Sequence, residues 1–251
     1  MLIRHVVAQA TGRSWNGMEL SRSREGKPFL VAAPLESPRF NFNISHHGDW
    51  VAIVAHDGAA VGCDVSKVER PRGARSIADF FVTMEGCFTP REWVAIKGEG
   101  GSGDAAWEAG ALERFYRNWT LKESLTKAMG IGLGFDLQRI EFRRVDRCDA
   151  NQYGVWIDDV HRSEWAFVCS FLDAAHPVTV ARGPWQSSVA AHCAAIVATP
   201  PPPPPPAATG SSSDDRESFD SASFGTRFQV LTSRDLVASM SLRDRVAAGL
   251  C

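Results

Sequence analysis

Residues 118–130 read NWTLKESLTKAMG, and the spacing inside that run organises the reading of the whole chain. Leu121, Leu125 and Ala128 recur at three- and four-residue intervals, the period of a helix with one apolar stripe. Leu112 and Phe115 extend the stripe backwards, and Gly130 supplies the residue that most readily ends a helix in a left-handed turn. A helix here puts Glu123 and Lys127 one turn apart on one face, with Trp119 one turn earlier. A pair of that order on an exposed face stabilises a helix by only about 0.2–0.5 kcal/mol. This pair shares its face with an aromatic ring and is followed by GIGLGF (130–135), whose glycines let backbone approach something bulky.

Outward from this helix the pattern changes to strands. FDLQRIEFRRV (135–145), EWAFVCSFL (164–172) and HPVTVARG (176–183) alternate apolar and polar residues, as an antiparallel meander with one wet face would. On the other side, SIADFFVTMEGCFTPREWVAIKG (76–98) is mostly helical, with Thr89 as cap, Pro90 as first residue and Glu92 in the first turn of a new helix. WVAIVAH (50–56) and AAVGCDVSKV (59–68) flank Asp57-Gly58 and predict a hairpin. PRFNFNISHHGDW (38–50) predicts a strand running into a polar loop, and SRSREGKPFL (21–30) a basic loop. The first residues form a helix ended by Gly12, with no capping side chain at its start. Helices on an antiparallel sheet make the class α+β.

Composition narrows the function. With 251 residues, 44% hydrophobic and 22% charged, the chain can bury one or two cores. A net charge of −2 gives no overall field towards nucleic acid or an anionic membrane, so neither is expected as a partner. The cysteines at 63, 87, 148, 169, 193 and 251 form no CxxC pattern and predict buried, reduced thiols in a cytoplasmic protein. Prolines 200–206 and the Ser/Asp-rich run after them cannot build a core, and FQVLTSRDLVASMS (228–241) regains apolar residues.

Three clusters can do chemistry. Asp64 is an acid inside an apolar strand, where a carboxylate needs a partner. Glu123 and Lys127 are the second. The third joins Arg22, Arg24 and Lys27 to Asn43, Ser45, His46 and His47, residue types that can hold phosphate. Taken alone, Asp64 equally suits a strand-end acid facing solvent or an arginine, while the Glu123–Lys127 pair and the basic and polar cluster read first as a surface stabiliser and as solvated or capping groups.

FNFNISHHGDW (40–50), VGCDVSKVERP (61–71), FFVTMEGCFTPREWVAIKG (80–98) and FYRNWTLKESLTKAMGIGLGFDLQRIEF (115–142) together resemble the 4′-phosphopantetheinyl transferases. The resemblance is to the two-lobed type that includes the aminoadipate-semialdehyde dehydrogenase phosphopantetheinyl transferases, and it covers most of residues 1–182. G-x-D followed by W-x-x-K-E-S-x-x-K, with F-N-x-S-H before both, is that family's pattern. The resemblance implies two pseudo-symmetric lobes of antiparallel sheet plus helices, with the first lobe N-terminally truncated. The lobes would span 1–57 and 58–185, followed by a disordered linker (186–227) and a tail segment (228–251). It also implies transfer of the phosphopantetheine arm of coenzyme A to a serine of an apo acyl, peptidyl or aminoadipate reductase-type carrier domain, releasing adenosine 3′,5′-bisphosphate. Asp64 and Glu123 would hold Mg²⁺, with Glu123 also the base and Lys127 on the pyrophosphate. Arg22, Arg24, Lys27, Asn43, Ser45 and His46 would hold the nucleotide part, with His46 at the 3′-phosphate. The apolar FFVTMEGCF run would receive the carrier. His47 stands where this subgroup commonly has Gln near the metal, and Ser66 where other relatives place a further acid. The enzyme would be a monomer. The alternative is a coenzyme A- or carrier-binding protein without turnover.

Overall fold

The computed structural model describes residues 1–31, 38–101, 104–145 and 152–185. The linker and tail expected at 186–227 and 228–251 lie outside the described residues. Helix α1 (Leu2–Thr11) precedes strands β1 (Leu20–Arg22), β2 (Pro28–Leu30), β3 (Phe40–His47), β4 (Trp50–Asp57) and β5 (Ala59–Val65). Helices α2 (Ile77–Thr83), α3 (Pro90–Lys97) and α4 (Ala105–Met129) come next. Strands β6 (Ile140–Arg144), β7 (Gln152–Ile157), β8 (Val160–His161), β9 (Ala166–Phe171) and β10 (Pro177–Pro184) follow, and the class is α+β as expected.

Helix α4 is the element on which the rest is built. Asp104 caps its start by accepting from the Ala106 N–H, and Gly130 ends it at φ 70°. Its first half packs Ala111, Leu112 and Phe115 into a cluster with Ile77, Phe81, Phe88, Trp93 and Ile96 of α2, α3 and the turn between them. Its second half packs Leu121, Leu125 and Ala128 onto a sheet face carrying Ile140, Val155, Phe167 and Ala181. Thr89 and Glu92 cap each other at the start of α3 in the reciprocal pattern their spacing predicts.

The sheet against α4 runs β5-β10-β9-β7-β6, antiparallel throughout, with β8 paired to β7. This is the expected meander of β6, β9 and β10 with three further strands, β5, β7 and β8. The basic stretch at 21–30 is not an open loop. It is the short hairpin β1–β2, in register from Leu20↔Leu30 to Arg22↔Pro28, with Gly26 at φ 87° in its turn. Three-residue strands are too short to show a period of two.

The hairpin expected between 50–56 and 59–68 does not form. Strand β4 pairs instead with β3, from Phe40↔Asp57 to His47↔Trp50, so His46 and His47 belong to a strand and not to a loop. Gly58, at φ 100°, turns the chain out of that ribbon, and β5 joins β10. The free edge of β5 is covered by side chains. The N–H groups of Val61, Cys63 and Val65 donate to Asn41 Oδ1 (3.1 Å), Asn43 Oδ1 (2.9 Å) and Ser45 Oγ (3.2 Å). Every second residue of β3 thus supplies an acceptor to every second amide of β5, satisfying an edge that must find partners when buried. An Asp-Gly pair between two strand-like runs signals a tight turn, and the ladder of polar side chains outcompetes the backbone hairpin it suggests.

Candidate active site

Gly62 lies where α4 crosses β5. A Cβ there would sit 2.1 Å from the Ser124 carbonyl oxygen and 2.4 Å from the Ala128 nitrogen, so only glycine permits this approach. The close crossing brings Lys127 of α4 onto Asp64 of β5, Nζ to Oδ1 at 2.5 Å. Asp64 is 5% exposed, and its oxygens are otherwise held by hydroxyls: Ser45 Oγ donates to Oδ1 (2.9 Å) and Ser66 Oγ to Oδ2 (3.1 Å). A charge and hydrogen bonds together offset the cost of burying a carboxylate.

Glu123, one turn before Lys127, presents an Oε1 that is buried without a hydrogen-bond partner in the described structure. Burial raises its pKa above the ordinary glutamate value, the nearby charge of Asp64 raises it further, and Lys127 opposes both. Two carboxylates that repel each other, one with an orphaned oxygen, make a place with a demand for positive charge. Hard cations meet such a demand with one or two carboxylates and oxygens from a bound substrate. The described residues hold no cluster of three or more His, Cys, Asp or Glu side chains arranged for a metal.

A cleft of about 330 Å³ opens beside this centre, lined by Arg22, Lys27, Asn43, His46, Glu123 and Lys127 among others. The cleft thus unites residues that the sequence scatters over 106 positions, from hairpin β1–β2, strand β3 and the end of α4. Arg24 is not part of its wall, and Ser45 and Asp64 lie behind it, linked through Lys127. Two of the gathered residues also build the wall. Lys27 is buried and donates to the carbonyls of Ala128 (2.8 Å) and Val61 (3.3 Å), and Asn43 is a rung of the β3–β5 ladder. Arg22 is exposed, with Nη1 donating to the Gly26 carbonyl within its own hairpin (2.9 Å). His47 is not in the wall; its Nδ1 accepts from the Lys67 N–H (3.0 Å). Cys63, next to Asp64, is a free buried thiol with its pKa pushed up to about 12 by burial, and Cys169 is likewise free and buried.

A buried ion pair beneath the site is absent from the sequence reading. Lys122 Nζ meets Glu92 Oε2 at 2.7 Å and also donates to the carbonyls of Leu137 and Ile140, and Glu92 Oε1 accepts from the Phe142 N–H. Burial pushes the Glu92 carboxyl up and the Lys122 ammonium down. The pair fixes the rotation of α4 against α3 and β6, and so sets which way the next residue, Glu123, faces. Its signal in the sequence is Lys122 itself, a cation three residues before the buried stripe residue Leu125 and so on the same side of α4.

A second, more apolar hollow of about 780 Å³ lies along α2 and α3, formed by Phe81, Val82, Phe88, Trp93, Val94 and Trp107 among others. Val82 and Val94 stand 72% and 75% exposed on it. This is the FFVTMEGCF region together with the following helix.

Residues 1–58 match the family described as 4′-phosphopantetheinyl transferase, N-terminal, and residues 60–181 the 4′-phosphopantetheinyl transferase superfamily. The chain is similar to a phosphopantetheinyl transferase of Thraustochytrium sp., 43% identical over 181 residues, covering 72% of this chain and 61% of that protein. It is 41% identical over 187 residues to the human L-aminoadipate-semialdehyde dehydrogenase-phosphopantetheinyl transferase, covering 72% and 58%. It is 32% identical over 146 residues to a Bacillus subtilis 4′-phosphopantetheinyl transferase, covering 58% and 56%. The chain therefore spans about three fifths of the length of the curated relatives it matches. With two adjoining family matches over residues that form the cleft, the chain belongs to the 4′-phosphopantetheinyl transferase superfamily.

Proposed function

We propose that this protein transfers the 4′-phosphopantetheine group of coenzyme A to the serine hydroxyl of an apo carrier domain, releasing adenosine 3′,5′-bisphosphate. The observation that carries the proposal is the unpartnered, buried Glu123 Oε1 beside the Asp64–Lys127 pair, on a cleft that also holds Arg22 and His46.

The residues suit the chemistry. The serine oxygen attacks the pyrophosphate phosphorus nearest the pantetheine arm, the P–O bond to the nucleotide breaks, and the serine proton must go to a base. Glu123 fills that role, because burial and Asp64 raise its basicity above that of an exposed glutamate. Lys127, with 29% of its side chain exposed, supplies a cation for the pyrophosphate oxygens, and Arg22 and His46 supply donors for the nucleotide part, His46 at its 3′-phosphate. Asp64 and Glu123 fit Mg²⁺, since two acids and an orphaned oxygen are what a hard cation shared with phosphate needs. Bound there, Mg²⁺ would neutralise charge on the diphosphate as the leaving group departs.

The carrier is received at the apolar hollow of α2 and α3, where exposed Val82 and Val94 offer a surface for a small helical module. The acyl, peptidyl and aminoadipate reductase types of carrier share such a module, and the name of the human relative favours the last. The enzyme works as a monomer in the cytoplasm, a location supported by the free thiols of Cys63 and Cys169. The test is intact-mass measurement of a purified apo carrier after incubation with the protein, coenzyme A and Mg²⁺. A gain equal to one phosphopantetheine group, lost when the metal is chelated, is expected. No gain from a protein that binds coenzyme A would instead favour a binding role without turnover.

A further inference from the structure

Ser45 is one of the residues that the family pattern assigns to the nucleotide. Its hydroxyl has one proton and two lone pairs to give. The proton goes to Asp64 Oδ1 at 2.9 Å, and the oxygen accepts from the Val65 N–H at 3.2 Å and from Lys127 Nζ at 3.1 Å. Ser45 is 5% exposed and does not line the cleft. A phosphate oxygen requires a donor, and this hydroxyl has none left.

We propose that Ser45 is a positioning residue for Asp64 and not a ligand of the cofactor's phosphate. Rotation about the Cβ–Cγ bond of Asp64 decides where its lone pairs point, and this torsion is intrinsically soft. Ser45 holds Oδ1 from one side and Ser66 holds Oδ2 from the other, which removes that freedom before any substrate arrives. Ser45 is also the last rung of the ladder that docks β3 on β5, after Asn41 and Asn43. The strand that brings His46 to the cleft therefore aims the acid of the neighbouring strand. His46 faces the cleft because its neighbour in an alternating strand faces Asp64.

The proposal rests on the transferase reading and is tested with Ser45→Ala, Ser45→Thr and Ser66→Ala, using coenzyme A and 3′-dephospho-coenzyme A as alternative donors. Ser45→Ala is expected to lower kcat by about 10–100-fold, with KM for either donor within about twofold of the parent value. Ser66→Ala shows a smaller loss of the same form, and Ser45→Thr recovers most of the rate. Ser66 makes no rung of the ladder, so its variant keeps the test open if Ser45→Ala does not fold. Titration with Mn²⁺ followed by electron paramagnetic resonance, which needs no turnover, is expected to show weaker binding in both alanine variants. A rise in KM for coenzyme A that disappears with the dephospho donor would overturn the proposal and put Ser45 on the 3′-phosphate. If the parent protein transfers nothing, the transferase reading fails alone: weaker Mn²⁺ binding in Ser45→Ala still supports positioning, and unchanged binding overturns it.

Discussion

Lys122 and Glu92 meet at 2.7 Å with their side chains 0% and 1% exposed, one residue away from the carboxylate that faces the cleft. A sealed pair of this kind adds little net stability over an apolar pair, but removing one partner strands a charge. Lys122→Met and Glu92→Gln are each expected to cost about 3–5 kcal/mol, read from urea unfolding. The double variant Lys122→Met with Glu92→Leu should cost less than the two single losses combined. Single losses below about 1 kcal/mol would mean that the pair is solvated, as surface pairs are, and does not set the rotation of α4.

Gly62 is where the site is most sensitive to shape. A methyl group there meets backbone atoms of Ser124 and Ala128, which cannot swing aside as a side chain would. Gly62→Ala is expected to lose about 1–3 kcal/mol from overpacking. Lifting α4 off β5 also separates Lys127 from Asp64, and a displacement of about 1 Å at reacting groups costs on the order of 100-fold in rate. Circular-dichroism melts and transfer rates measured on the same preparation check both; a folded variant with the parent rate would show that the close crossing is dispensable.

The turn between β9 and β10 grips the β3–β4 ribbon. Asp173 accepts from Trp50 Nε1 at 2.7 Å, from the Ala175 N–H at 2.8 Å, and meets His176 Nδ1 at 2.7 Å. The Trp50 and His176 donors hold its carboxyl far below the ordinary aspartate value of 3.8. A depressed carboxyl stabilises the fold above its unfolded pKa, and that contribution is lost as pH falls through the folded value. Trp50→Phe returns the carboxyl towards 3.8 and makes its contribution smaller. The variant should melt below the parent at neutral pH, with the gap closing as pH drops well under 3.8 and both carboxyls protonate. A gap that is the same at pH 7 and in strong acid would assign the effect to lost packing of the indole.

Much of this was legible in the sequence where one residue type has one use. Gly130 ends α4 and Thr89, Pro90 and Glu92 open α3 as their chemistry demands. Glu123 and Lys127 share a face, and the structure brings Asp64, sixty-three residues from Lys127, within a hydrogen bond of it. The hidden parts are those where one residue serves two chemistries equally well. Asn43 and Ser45 suit a phosphate or a bare strand edge, and the structure gives them the edge of β5. Lys27 suits an anion or a helix end, and its ammonium reaches the carbonyl of Ala128. The hairpin read across Gly58 failed because a turn signal names the bend but not the partner strand.

The claim on which the account turns is that Asp64 and Glu123 act as one unit on a single substrate. It is tested most directly by the rate of phosphopantetheine transfer to an apo carrier by Asp64→Asn, Glu123→Gln and the double variant, with coenzyme A affinity measured alongside. Each single change is expected to lower the rate by about 10²–10⁴-fold, and the double variant to be little slower than the slower single one, because groups that work together fail together. Losses that multiply in the double variant, or a single variant that keeps the parent rate, would contradict it.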